Sequence, residues 1–306
     1  MQKTLDLSIK KHEIGTTEGG YDVKTAEKKT TYLSYMDGLE WEKFEKDMKD
    51  KYPNAYNEYG AGSGGELKEK GKFPPKMASF GSSSRMIFNF SKDIEGFKFE
   101  EKLPTTVGGI ANMDGYLEKE DKHIFVEAKC REPYGAKPHL IEDRYEKLYQ
   151  YIDKDDESNL KIKISDIEIS ETTKTKNESK MNVTFSVGDS EISNFDIKQM
   201  ICHLLGIATK FLDVPTKKKI SFLYFCYNPK LIEIIDEKKQ ERIYDTYDKM
   251  CRQCNSIDFK GLFSVIVRYL KENKKNCNVD SAYVNQMIDN FSFTLCDQAS
   301  YMGLLK

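Results

Sequence analysis

Apolar residues recur along the chain with two different periods, and each period marks a different element. Over residues 32–51, Leu33, Met36, Leu39, Phe44 and Met48 fall three to five apart, which predicts an amphipathic helix laid over another part of the protein. The glycine-rich stretch from Tyr59 to Leu67 (YGAGSGGEL) predicts an irregular approach loop that delivers a carboxylate, Glu66. Residues 76–90 place Met77, Phe80, Met86, Ile87 and Phe90 on one side, as a helix packed by one face does. From Gly96 the period shortens to two. Residues 97–103, 112–119 and 123–130 read as three successive strands, hence an antiparallel meander.

Farther on, residues 141–153 read as a helix, and the alternating runs 160–170 and 181–187 read as a long hairpin. Its tip, residues 171–180, is entirely polar, so the hairpin is expected to project into water. Residues 195–212 carry a broad apolar stripe on a helix that Ser193 or Asn194 would cap. That buried helix feeds residues 220–227, an apolar run of strand length suited to a central strand and ended by Asn228-Pro229. Residues 231–254, 260–271 and 283–291 read as helices. The organisation expected is one domain, 1–306. An N-terminal helical segment (1–58) precedes a core (59–230) with a hairpin insertion (155–190), and a C-terminal helical segment (231–306) follows.

Composition narrows the class. The 306 residues hold 48 Lys and Arg against 50 Asp and Glu, so no global basic field announces a polyanionic partner. The longest apolar run, residues 221–227, is far below the roughly 20 residues a membrane span needs, and MQKTLDLSIKKHE lacks a hydrophobic signal core. A soluble, cytoplasmic protein without membrane partners is the expectation. The seven cysteines are odd in number, which argues for reduced thiols; Cys251 and Cys254 have CxxC spacing, but no second pair completes a zinc site.

The informative stretch runs from Ile110 to Cys130. If residues 112–119 and 123–130 form a hairpin centred between Glu120 and Asp121, antiparallel partners sum to 241 and Asp114 stands opposite Glu127. Opposed carboxylates repel unless water or a cation lies between them, and a divalent metal resolves the conflict. Lys129 shares the face of Glu127, while Ile124, Val126 and Ala128 point to the other, apolar face. Two oxygen ligands for Mg²⁺ and a nearby ammonium suit phosphodiester hydrolysis. The plainer alternative is a solvated strand face. Lesser candidates are Arg131 and Glu132 beside Lys129, and Gln199 and His203 four apart on the buried helix, where an ordinary core histidine is the competing expectation. Ser82, Ser83, Ser84 and Arg85 could meet a phosphate or simply cap a helix. Lysines cluster at Lys68, Lys70, Lys72 and Lys76, and again at Lys174, Lys176 and Lys180.

Taken in order, GAGSGGEL, SSSRMIFNF, FKFEEKLPT, NMDGYLEKEDKHIFVEAKCREPY and QMICHLLGIA resemble the PD-(D/E)xK nuclease superfamily, and more narrowly a group of bacterial restriction-type endonucleases within it. The resemblance covers residues 66–229. It implies an α/β fold with a restriction-endonuclease-like αβββαβ core, a mixed central sheet, a β-hairpin insertion and added helices. It implies a Mg²⁺-dependent endonuclease, with Mn²⁺ as a substitute, acting on DNA and with RNA left open. Asp114 and Glu127 would hold the metal, Lys129 would be the catalytic lysine, and Glu66 would be the additional acid, with Glu100 as its competitor. Met113 stands where the motif name has proline. A homodimer is one expected assembly where both strands are cut. The competing functions are a non-catalytic nucleic-acid- or partner-binding protein on the same fold, and a hydrolase of small phosphoesters.

Overall fold

The period-two runs form the centre of the protein. The strands are β1 (Lys98–Pro104), β2 (Ile110–Glu118), β3 (Lys122–Lys129), β4 (His139–Glu142), β5 (Leu160–Asp166), β6 (Lys180–Val187), β7 (Ser190–Glu191), β8 (Lys219–Cys226) and β9 (Phe291–Cys296). The helices are α1 (Gly38–Lys51), α2 (Pro53–Ala61), α3 (Ser83–Ser91), α4 (Glu146–Lys154), α5 (Ile197–Asp213), α6 (Glu237–Asn255), α7 (Phe259–Asn273), α8 (Ser281–Asp289) and α9 (Tyr301–Leu305). The structure is a computed structural model that describes residues 36, 38–61, 65–69, 75–79, 81–130, 139–166, 180–231, 237–274 and 279–305. The candidates at Lys70, Lys72, Arg131, Glu132, Lys174, Lys176 and Cys277 lie outside the described residues.

The fold is α/β with an open, mixed sheet in the order β1-β2-β3-β8-β9. β1, β2 and β3 are antiparallel neighbours, whereas β8 runs parallel to β3 and β9 parallel to β8. β8 is a continuous apolar strand because both its faces are covered, as in other parallel sheets. On one side lies a large apolar cluster that includes Phe125, Leu204 of α5 and Phe263 of α7; on the other, Ile124, Val126 and Ala128 pack with Met48, Tyr59, Ile87 and Tyr301. α5 approaches β1 and β2 closely because position 206 is glycine: a Cβ there would lie 2.9 Å from the Cβ atoms of Leu103 and Ala111. Among the described residues, no helix is long and apolar enough to cross a membrane.

Several expectations change in the structure. Residues 76–90 are not one helix: Lys76–Ala78 form a single 3₁₀ turn, and α3 starts at Ser83 because Ser82 accepts from the Arg85 amide. The glycine-rich stretch begins later than expected, since α2 continues through Gly60 to Ala61. Leu39 is 79% exposed and leaves the apolar stripe, while Met48 is fully buried. Ile141 belongs to β4, and the helix expected there starts only at Glu146. α5 is capped by Asp196, not by Ser193 or Asn194. β5 and β6 do pair antiparallel, but their described part does not project. With β4 they form a second sheet whose Leu160, Val183 and Phe185 are buried in the main core. Phe291 opens β9, not a helix end, so the C-terminal segment is not purely helical and returns to complete the central sheet. Cys251 and Cys254 lie on α6 with free thiols, and Cys254 is buried.

Candidate active site

The β2–β3 hairpin has the register expected from its turn. Its pairs run from Gly115 with Val126 to Glu118 with His123, every one summing to 241, and the Lys119 amide closes the turn on the Lys122 carbonyl at 2.8 Å. One step farther, the expected pair of Asp114 with Glu127 is not formed. There the regular pairing stops, and Oδ2 of Asp114 accepts from the Ala128 amide at 2.7 Å. The irregularity is matched on the neighbouring strand. Glu100, level with Asp114 in the β1–β2 register, has a φ of 58°. Both strands change sides at this point: Phe99 and Leu117 face the Tyr59 cluster, whereas Leu103, Ala111 and Met113 face α5. A left-handed glutamate is strained by about 1–2 kcal/mol, and such a kink re-aims side chains beside it. Gly115 makes room for it, since a Cβ would meet the Phe97 ring at 2.3 Å.

β3 itself stays regular, so Glu127 and Lys129 share the face turned toward α5. Lys129 Nζ donates to Glu127 Oε1 at 2.6 Å and to Gln199 Oε1 at 2.7 Å. Nε2 of His203 lies 2.9 Å from Glu127 Oε2, so each oxygen of the carboxylate faces one nitrogen. Glu127 is 1% exposed. Burial pushes its carboxyl upward, but Lys129 and His203 outweigh this and hold it down at about 2. Gln199 and His203 thus meet the two candidate residues of β3 from successive turns of α5, and His203 is more than a core histidine.

Glu66 arrives from the opposite side of the sheet. The amides of Lys76 and Met77 clasp the carbonyls of Gly65 and Glu66, both at 3.0 Å, and Lys76 Nζ donates to Glu66 Oε1 at 3.1 Å. Glu66 is 3% exposed, and its buried Oε2 has no hydrogen-bond partner among the described residues. Glu100 is raised to about 7 by burial first and then by the negative charges of Glu66 and Glu127, against the pull of Lys76 and Lys102. Burial, followed by the charges of Asp114, Glu100 and Glu66, also pushes the Tyr59 hydroxyl well above its ordinary value. Glu66 and Glu100 are thus close enough for the charge of one to raise the other, so the two competitors for the additional acid feel each other.

Other candidates stand apart. Lys68 is exposed. Ser83 Oγ accepts from the Cys130 amide at 3.1 Å, tying α3 to the end of β3. Among the described residues, no three His, Cys, Asp or Glu side chains are grouped as a ready-made metal cage. The donors nevertheless fit Mg²⁺, which is commonly held by one or two carboxylates and keeps several waters. Among the described residues, the buried Oε2 of Glu66 lacks a hydrogen-bond partner and is one acceptor such a cation would satisfy. Comparison with protein-family models, with curated proteins and with solved structures returns no match to this chain.

Proposed function

We propose that the protein is a metal-dependent nuclease that hydrolyses phosphodiester bonds, a DNA endonuclease built on a restriction-endonuclease-like core. The observation that carries this reading is the Glu127 carboxylate. It is buried and charged, lies on the strand next to that of Asp114, and has Lys129 on one oxygen and His203 on the other. The order of α3, the β1–β2–β3 meander, α5 and the parallel β8 supports the αβββαβ arrangement.

Asp114 and Glu127 would hold Mg²⁺, which when bound supplies a Lewis acid for the phosphate and lowers the pKa of a water. Lys129 donates to two acceptors, and as an ammonium it would offset the charge that grows on the phosphate oxygens. His203 and Gln199 fix the orientations of Glu127 and Lys129, which a strand alone leaves to rotate. Glu66 and Glu100 complete the acidic side of the site, and the elevated pKa of Glu100 reflects its burial first and then the charges of Glu66 and Glu127.

The test is cleavage of plasmid and single-stranded DNA by purified protein with Mg²⁺ or Mn²⁺. Cleavage should vanish in Asp114→Asn and in Lys129→Met; unchanged cleavage in both removes the assignment. A second reading, a binding protein that keeps the fold without catalysis, is favoured by the way Lys129 and His203 already occupy the two oxygens of Glu127. It predicts no heat of Mn²⁺ binding, together with salt-sensitive association with DNA or RNA.

A further inference from the structure

Beside the first turns of α5 lies a cavity of about 310 Å³, at the lower end of small-ligand pockets. Its wall is built rather than accidental. The loop between β1 and β2 is closed by three bonds between Thr105 and Gly109, from the Thr105 amide at 2.8 Å, from Thr105 Oγ1 at 3.0 Å and from the Gly109 amide at 3.0 Å. Gly109 has no Cβ, and one there would lie 2.5 Å from Tyr145 Oη, so glycine lets the phenol sit against the loop. Arg144 donates to the Gly108 carbonyl at 2.9 Å, pairs with Glu142, and has its guanidinium carbon 5.5 Å from the centre of the Tyr145 ring. Ile110, also on the lining, is 56% exposed, an apolar surface left in water beside that ring.

Charge and position specify the ligand further. Arg144 and Lys198 against Glu142 leave a net charge of one positive unit on the lining, which matches a single phosphodiester. These charges converge on the Cys202 thiol, which burial pushes up while Lys198 and Arg144 pull it down. Lys198 and Cys202 immediately precede Gln199 and His203 on α5. One residue is about 100° of helix, so the cavity and the acid site are served by adjacent stripes of the same element.

We infer that this cavity is a subsite for one nucleoside monophosphate unit, its base against Tyr145 and Ile110 and its phosphate on Lys198 and Arg144. The inference rests on the nuclease reading for one of its two sources, a nucleotide within a strand; the other source is a free nucleotide with the same chemistry. In a strand, the base in the cavity is unstacked from its neighbours, so the substrate is single-stranded or has that base turned out of the duplex. Glu142 is the lining group that accepts from an exocyclic amine of the base.

The test titrates the full chain, in EDTA so that nothing is cut, against 2-aminopurine ribonucleoside monophosphate and a short single-stranded DNA carrying 2-aminopurine. Quenching of the probe reports stacking on the phenol. Ile110→Glu, at an exposed position, and Lys198→Glu, at a half-buried one, both checked for folding by circular dichroism, should each weaken binding by about ten-fold or more. Quenching by both probes, by the strand alone or by the free nucleotide alone supports the subsite where both variants lose it, and identifies the source. No saturable quenching by either probe, or equal affinity in wild type and both variants, overturns it. Binding without any Mg²⁺-dependent cleavage leaves the subsite standing and removes the nuclease reading; cleavage without binding does the reverse.

Discussion

Replacing Glu127 by Gln keeps the shape of the side chain and removes a charge that the buried side chains of Lys129 and His203 both face. Lys129 and His203 hold the Glu127 carboxyl down from an ordinary 4.5 to about 2 despite its burial. That difference corresponds to about 3 kcal/mol of stability at neutral pH. Because the folded value lies below the unfolded one, the contribution is complete above pH 4.5 and disappears as the pH falls toward 2. In Glu127→Gln the ammonium of Lys129, only 9% exposed, keeps Gln199 but loses its counter-charge. Breaking a buried pair from one side typically costs about 3–5 kcal/mol. For a chain of 306 residues, 3 kcal/mol lowers Tm by about 5 °C. Adding Lys129→Met removes the stranded charge, so the double variant should recover roughly half of the loss. Thermal and urea melts at pH 7, with the wild-type advantage followed downward from pH 4.5, measure all of this. A melting point unchanged by Glu127→Gln, or a double variant whose losses simply add, would refute the coupling between these two side chains.

Glu100→Gly removes both a left-handed side chain and a crowded carboxyl, and should stabilise the protein by about 1 kcal/mol. Wild type, whose Glu100 is raised to about 7, loses stability as pH rises from 4.5 to 7, and the variant should lose that slope; melts across this window decide, and a lower Tm at pH 7 refutes the strain. Gly206→Ala drives a methyl group against Leu103 and Ala111 and should cost about 1–3 kcal/mol in a urea melt. The same change at Gly303, where a Cβ meets nothing within 4 Å, should be close to neutral, and equal effects at both sites would contradict the close packing of α5. Asp114→Asn keeps an oxygen for the Ala128 amide, so its melt without metal should stay within about 0.5 kcal/mol of wild type. Millimolar Mn²⁺ should raise Tm in the wild type and not in this variant, by mass action on the folded state. An equal rise in both would remove Asp114 from metal binding.

The parts of the site that were legible in advance are those controlled by short-range geometry. The turn at Glu120 and Asp121 sets the β2–β3 register, and the pleat then puts Glu127 and Lys129 on one face and Ile124, Val126 and Ala128 on the other. The i, i+4 spacing of Gln199 and His203 likewise places both on one side of α5. The apolar run that became β8 announced a strand covered on both faces because composition alone reports double burial.

What local pattern could not decide depended on partners distant along the chain. FSFTLC alternates as a strand should, but only the exposed edge of β8 makes residues 291–296 one. β4 and the buried base of the β5–β6 hairpin likewise owe their places to distant partners: β4 pairs with β6, and β5 packs against α4, which in turn packs on α7. Nothing in the identity of Glu100 marks a positive φ; glycine or asparagine would have, and the strained conformation is imposed by the facing irregularity at Asp114. The contact of His203 with Glu127 and the gathering of Glu66 with Glu100 need a helix and a clasped loop to be carried to opposite sides of one sheet. Spacing along a chain determines which residues share a face, whereas the long-range packing of those faces determines which of them meet.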